Sequence, residues 1–174
     1  MKNIKKILVV LVAGVVLFAA CQSKGKLNTQ IAEAEKQVFE SYNAEVMGHL
    51  VALYQNYAKA YPKDSLAVEY LLRATGINMR LGKGVEALAN LDAVINKYPD
   101  NQKVAECYFL KGFVYEDVLH DIESAKNAYY EFVSLFPKHE LALTASVAIA
   151  ILESGKSDDE LVASFNDETQ IEVE

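Results

Sequence analysis

"YFLKGFVYEDVLHDIESAKNAYYEFVSLFP", residues 108–137, decides the fold. Its second half holds Ala125, Tyr129 and Phe132 at steps of four and three, which sets one small and two large apolar side chains on one face of a helix. That helix must stop at Phe136-Pro137, because proline restricts the backbone of the residue before it and cannot continue the hydrogen-bond ladder. The first half carries Tyr108, Gly112 and Tyr115 on an earlier helix, and "VLHDIESA" joins the two. The stretch reads as helix, turn, helix, proline.

The same order recurs along the chain. There are only three prolines, Pro62, Pro99 and Pro137, each behind an aromatic residue and spaced by 37 and 38 residues. Ala87, Leu91 and Val94 stand before Pro99 as Ala125, Tyr129 and Phe132 stand before Pro137. Partner helices are predicted over Leu66 to Leu81 and Gln102 to Leu119. Tyr61, Tyr98 and Phe136 are expected to dock the turns, with Asp64-Ser65, Asp100-Asn101 and His139 as capping candidates for the helices that follow. At a period near 37 residues no unit can bury both its faces alone, so neighbouring units must stack. Upstream, apolar residues from Ile31 to Tyr57 recur at helical steps, as one long helix or as two with a break near Asn43 to Gly48. Leu50, Tyr54, Tyr57 and Pro62 fit the second helix of a partial unit. Downstream, His139 to Leu152 reads as a first helix. Ser157-Asp158-Asp159-Glu160 then forms a capping box for a short closing helix, and residues 166–174 lack helical periodicity.

On these residues, 108–137 resembles a tetratricopeptide repeat. "EYLLRATGINMRLGKGVEALANLDAVINKYP", residues 69–99, is similar more loosely: it keeps Leu71, Ala74, Gly82, Ala87, Leu91 and Pro99, with Thr75 and Asn78 where a glycine and a tyrosine are usual. The turn before Ala125 carries one extra residue and lacks the usual glycine. The resemblance spans about residues 44–153 and is nearest to the repeats of envelope lipoproteins, including BamD-like and Tol-Pal-associated proteins. It implies an all-α, right-handed α-solenoid, with full repeats at about 66–99 and 102–137 inside a helical domain over 29–165. It also implies a concave face lined by the first helices, holding Glu69, Leu72, Met79 and Arg80, then Glu106, Phe109, Phe113, Glu116 and Asp117, then Val147 and Ile151. The lysine-and-asparagine clamp by which some members grip a terminal carboxylate is missing, since Leu72 and Gly76 occupy two of its places. A ligand is expected to be an apolar or basic-and-apolar segment, with Phe109 and Phe113 as anchors and the acids as a rim. The competing reading buries both phenylalanines as core.

The N-terminus is of another kind. Lys2, Lys5 and Lys6, an apolar run from Ile7 and then Ala19-Ala20-Cys21 have the layout of a secretory signal over residues 1–20. The apolar length, 14 residues or roughly 21 Å as a helix, falls short of the about 20 residues needed to span a bilayer. "LFAACQ" resembles the lipobox of bacterial lipoproteins. That implies a lipidated Cys21, a polar tether over 21–28 and, without an aspartate after the cysteine, residence in the outer membrane.

Beyond residue 20 the chain has 14 basic and 24 acidic residues, net −10, which disfavours nucleic acid and anionic lipid as partners. Residues 156–174 hold seven acids and one lysine and suit a solubilising end. With Cys21 lipidated, Cys107 has no disulfide partner and fits a small buried position. "SGKSD" at 154–158 lacks the upstream glycine of a phosphate-binding loop, since Ala150 stands there. His49, His120 and His139 stand singly, without metal-ligand spacing. No nucleophile elbow or HExxH motif appears. No catalytic residue, metal, cofactor or nucleotide is therefore expected. The expected function is a lipid-anchored envelope scaffold or adaptor that binds protein partners, in outer-membrane assembly or envelope maintenance. The rival is an accessory envelope protein with an enzymatic or carbohydrate-binding site.

Overall fold

Between its aromatic–proline stops the chain offers pairs of segments with 3.6-residue apolar periodicity, each pair joined by a turn, and the computed structural model, which describes residues 24–155, is all-α. The elements are α1 (24–41), α2 (Ala44–Ala60), α3 (Leu66–Arg80), α4 (Gly84–Lys97), α5 (Val104–Phe113), a π turn (Val114–Val118), α6 (Ile122–Leu135) and α7 (Ala142–Ser154). The described residues include no strand and no helix long and apolar enough to cross a membrane. The expected signal, Cys21, the closing helix and the acidic end lie outside the described residues.

Residues 24–28, expected to be a loose tether, are helical instead. Leu27 is buried one turn ahead of Ile31 in the same apolar cluster, so the amphipathic stripe begins earlier than Thr29. The Lys24 ammonium pairs with Asp64 and lies 5.9 and 5.8 Å from the ring centroids of Tyr57 and Tyr61. The upstream apolar stretch resolves into two helices. Tyr42, at φ 28° in the left-handed region, ends α1, and Asn43 caps α2 by accepting from the Val46 N–H at 3.0 Å.

Contacts divide the chain at Leu81/Gly82. In the first unit, Leu27, Ile31 and Ala34 of α1 pack with Leu50, Tyr54 and Tyr57 of α2 and Ala74 of α3. The Tyr70 ring stacks on Tyr54 and meets Tyr57 edge-on, each at 4.8 Å. In the second unit α6 packs against both α5 and α7, around Ala105, Tyr129, Phe132, Ala145 and Ile149. Gly112 lets α5 approach closely: a Cβ there would stand 2.5 Å from the Tyr129 ring.

Three turns answer why proline occurs only where it does. Tyr61, Tyr98 and Phe136 leave the helical region with nearly one geometry, at φ/ψ −128°/59°, −132°/51° and −129°/54°. Each donates its N–H to the carbonyl four residues back, at 2.8, 2.9 and 2.8 Å, and proline follows where the ladder has no further donor to lose. Asp64, Asn101 and His139 then donate their N–H groups to the Tyr61, Tyr98 and Phe136 carbonyls at 3.0, 2.9 and 3.0 Å. The side chains of the same three residues accept from the N–H groups of Leu66, Lys103 and Leu141 at 2.9, 2.9 and 3.2 Å. Of the capping candidates, Ser65 makes no such bond.

The irregular turn before α6 has an equally local cause. The π turn absorbs the extra residue, with Leu119 N–H donating to the Val114 carbonyl at 3.0 Å. His120, at φ 54°, takes the left-handed position that Gly82, at φ 68°, holds before α4; each stands five residues ahead of its buried alanine, Ala125 or Ala87. Asp121 then caps α6 by accepting from the Ser124 N–H at 3.0 Å.

Candidate functional site

The second unit distributes its candidate residues between core and surface. Phe109 is half-buried: its ring lies 5.6 Å from both Tyr129 and Phe132, and its remaining edge lines a cleft of about 560 Å³ with Glu106, Leu110 and His139. Phe113, one turn on, is 38 % exposed, and on α7 Val147 and Ile151 are also exposed. Each of these pairs is spaced i, i+4 and so shares a helix face. Core burial and surface exposure are thus split between the two phenylalanines, Phe109 joining the core and Phe113 reaching solvent.

The expected acidic rim is partly committed to the fold. Glu106 pairs with Lys103. Glu116, on the π turn, accepts the Tyr129 hydroxyl hydrogen bond at 2.8 Å. Burial, with this carboxylate beside it, holds the Tyr129 phenol well above its ordinary pKa. Asp117 is exposed. Cys107 is fully buried, and burial pushes its thiol up to about 12, so it is not a nucleophile at neutral pH. Gly155, at φ 62°, ends α7 in the left-handed conformation, so the glycine of "SGKSD" is a helix stop; residues 156–158 lie outside the described residues.

In the first unit, Glu69 holds the Arg73 guanidinium at 3.0 Å, Leu72 and Met79 are half-buried, and Arg80 is exposed. Arg80 lines a groove of about 700 Å³ between α1, α2 and α3 that the sequence did not reveal. Val38, Phe39, Tyr42, Leu50, Tyr54 and Ile77 give it apolar walls, and Glu35, Arg73 and Arg80 supply its charge. Phe39 is 91 % exposed and Tyr42 61 %. Arg73 bridges Glu69 to Glu35, also at 3.0 Å, and Glu35 in turn accepts from the Tyr54 hydroxyl at 2.6 Å. Burial and the Glu35 carboxylate together raise the Tyr54 phenol pKa. Arg80 reaches only the Tyr42 hydroxyl, at 3.4 Å, and has no carboxylate within ion-pair distance among the described residues.

Two sequence features could have located this groove. Arg73 and Arg80 are the only arginines in the chain and stand seven residues apart, two helical turns on one face. Val38 and Phe39 are adjacent apolar residues, so one of them must turn away from a single-faced core. No protein-family model matches the chain, and no curated sequence matches it.

Proposed function

We propose that the chain is a lipid-anchored scaffold of a bacterial cell envelope, a right-handed solenoid of tetratricopeptide-like units that binds another protein through its first helices. The carrying observation is the thrice-repeated turn at Tyr61, Tyr98 and Phe136, with one dihedral geometry and one hydrogen-bond pattern. Equal turns at near-equal intervals favour units that repeat and stack. The π turn and His120 accommodate the extra residue and the missing glycine in the turn before Ala125. The lipobox-like "LFAACQ" supports the anchoring and the compartment of this reading.

Binding is assigned to Phe113, Val147 and Ile151, with the free edge of Phe109, because the part of each apolar side chain left facing water gains nothing from the fold. A photo-crosslinking phenylalanine analogue at position 113 of the full chain, in envelopes, tests this. A discrete crosslinked protein that is lost at an exposed control position such as Lys97 is expected. Absence of any crosslinked protein, with the fold intact, refutes the scaffold reading.

A further inference from the structure

The groove of the first unit has a different chemical character from the rest of this acidic chain, and its charge points to what it takes. Both arginines of the molecule stand on its walls. They are not equivalent. Arg73 is fixed by Glu35 and Glu69, whereas Arg80 ends the groove with its guanidinium against a phenol oxygen at 3.4 Å. A guanidinium presents a planar donor fork that matches a carboxylate, which a lysine ammonium does not. Beside it Phe39 stands almost wholly in solvent. Tyr42 holds a left-handed backbone that bulky side chains rarely adopt.

We infer that this groove docks an acidic, amphipathic segment of a partner protein, with the segment's apolar side chain seated among Phe39, Tyr42 and Ile77 and its carboxylate paired with Arg80. A basic segment would meet Arg80 with like charge. Glu35 does little to offset this, since its charge is already balanced by Arg73, which shares the Glu35 Oε1 with the Tyr54 hydroxyl. The inference rests on the protein-binding reading but reverses the expected ligand charge, and it lies on residues separate from Phe113. Crosslinking at 113 can therefore succeed while this groove fails, or the reverse.

The test is fluorescence anisotropy of the full chain with a labelled synthetic peptide of leucine and glutamate in amphipathic order. Its twin carries lysine for glutamate. The glutamate peptide should bind at least about tenfold more tightly, a difference of ~1.4 kcal/mol, and should loosen as salt rises. Arg80→Ala and Phe39→Ala should each weaken it roughly tenfold, with unchanged melting, since both side chains are exposed; Arg80→Lys should restore part of the loss. Equal affinity for both peptides, no binding of either, or indifference to Arg80→Ala overturns the inference. Displacement by a peptide of residues 156–174 would assign the groove to the chain's own acidic end, and displacement by decanoate would assign it to a fatty acid. Either result removes the partner segment as occupant.

Discussion

Gly112→Ala should destabilise the protein, although glycine-to-alanine inside a helix ordinarily stabilises by about 0.5–1 kcal/mol. The reversal is steric. An added Cβ at position 112 would stand 2.5 Å from Tyr129 Cδ1 and Cε1 and 2.8 Å from its Cγ. The near end of the ring is involved, so a small rotation does not clear it. Tyr129 is 1 % exposed, its hydroxyl is held by Glu116 at 2.8 Å, and Phe109 lies 5.6 Å away. Overpacking of such a site costs about 1–3 kcal/mol, which outweighs the helical gain and leaves a net loss on the order of 1 kcal/mol. Gly48→Ala is the control, because nothing lies within 4 Å of a Cβ there, and it should show the ordinary gain. Urea unfolding measures both, and Gly112→Ala in a Tyr129→Leu background should recover the gain if the ring is the obstacle. Equal stabilisation by Gly112→Ala and Gly48→Ala would refute the packing of α6 on α5.

Cys21→Ala should abolish incorporation of labelled fatty acid and leave an unprocessed precursor; label at wild-type level in the variant removes the anchoring proposal. His120→Gly should raise stability by up to ~1 kcal/mol, since a residue other than glycine in the left-handed region carries about 1–2 kcal/mol of strain, partly offset by the added freedom of the unfolded chain; a clear loss in thermal unfolding counts against the turn. Lys24 and its hydrogen bond hold Asp64 below its ordinary 3.8. The pair's contribution is therefore present above pH ~4 and is lost as pH falls through the lowered value. Asp64 in turn raises Lys24 above 10.5, so the same contribution is lost again as pH rises through that raised value. Asp64→Asn should flatten the acid limb of the stability–pH curve, and an unchanged limb would show the pair to be without effect.

Much of this fold was legible because proline, glycine and aromatic residues act over one or two turns. The order of the helices from Leu66 to Leu135 followed from Pro62, Pro99 and Pro137. The use of Asp64, Asn101 and His139 in the turns was visible as polarity after each proline. What stayed hidden depends on contacts far apart in sequence. Nothing near Lys24 announces that Asp64 will fix it, so the tether was drawn too long. The π turn was visible only as one residue too many, because spacing counts residues without saying which hydrogen bond absorbs the extra one. Phe109 and Phe113 share one helix face, and periodicity cannot separate them. Tyr129 and Phe132 beneath Phe109 do so.

The position of Phe39 shows how an exposed side chain bears on function. Fully burying a phenylalanine is worth about 1.5–3 kcal/mol, yet Phe39 is left 91 % exposed while Val38 beside it packs on the core. Folding gains nothing from that ring, so its removal should leave stability within about 0.5 kcal/mol, as for other surface changes. A docked partner, by contrast, would bury it, and the withheld hydrophobic free energy would then appear as affinity. Arg80 stands under the same logic with the sign of charge added: in the folded chain its guanidinium meets one phenol oxygen at 3.4 Å, whereas a bound carboxylate would give it a charge-assisted pair. Stability and binding should therefore respond oppositely at these two residues and at Tyr129. Phe39→Ala and Arg80→Ala are expected to affect binding alone, while Tyr129→Leu, which removes the buried hydroxyl and leaves Glu116 without its donor, is expected to affect folding first.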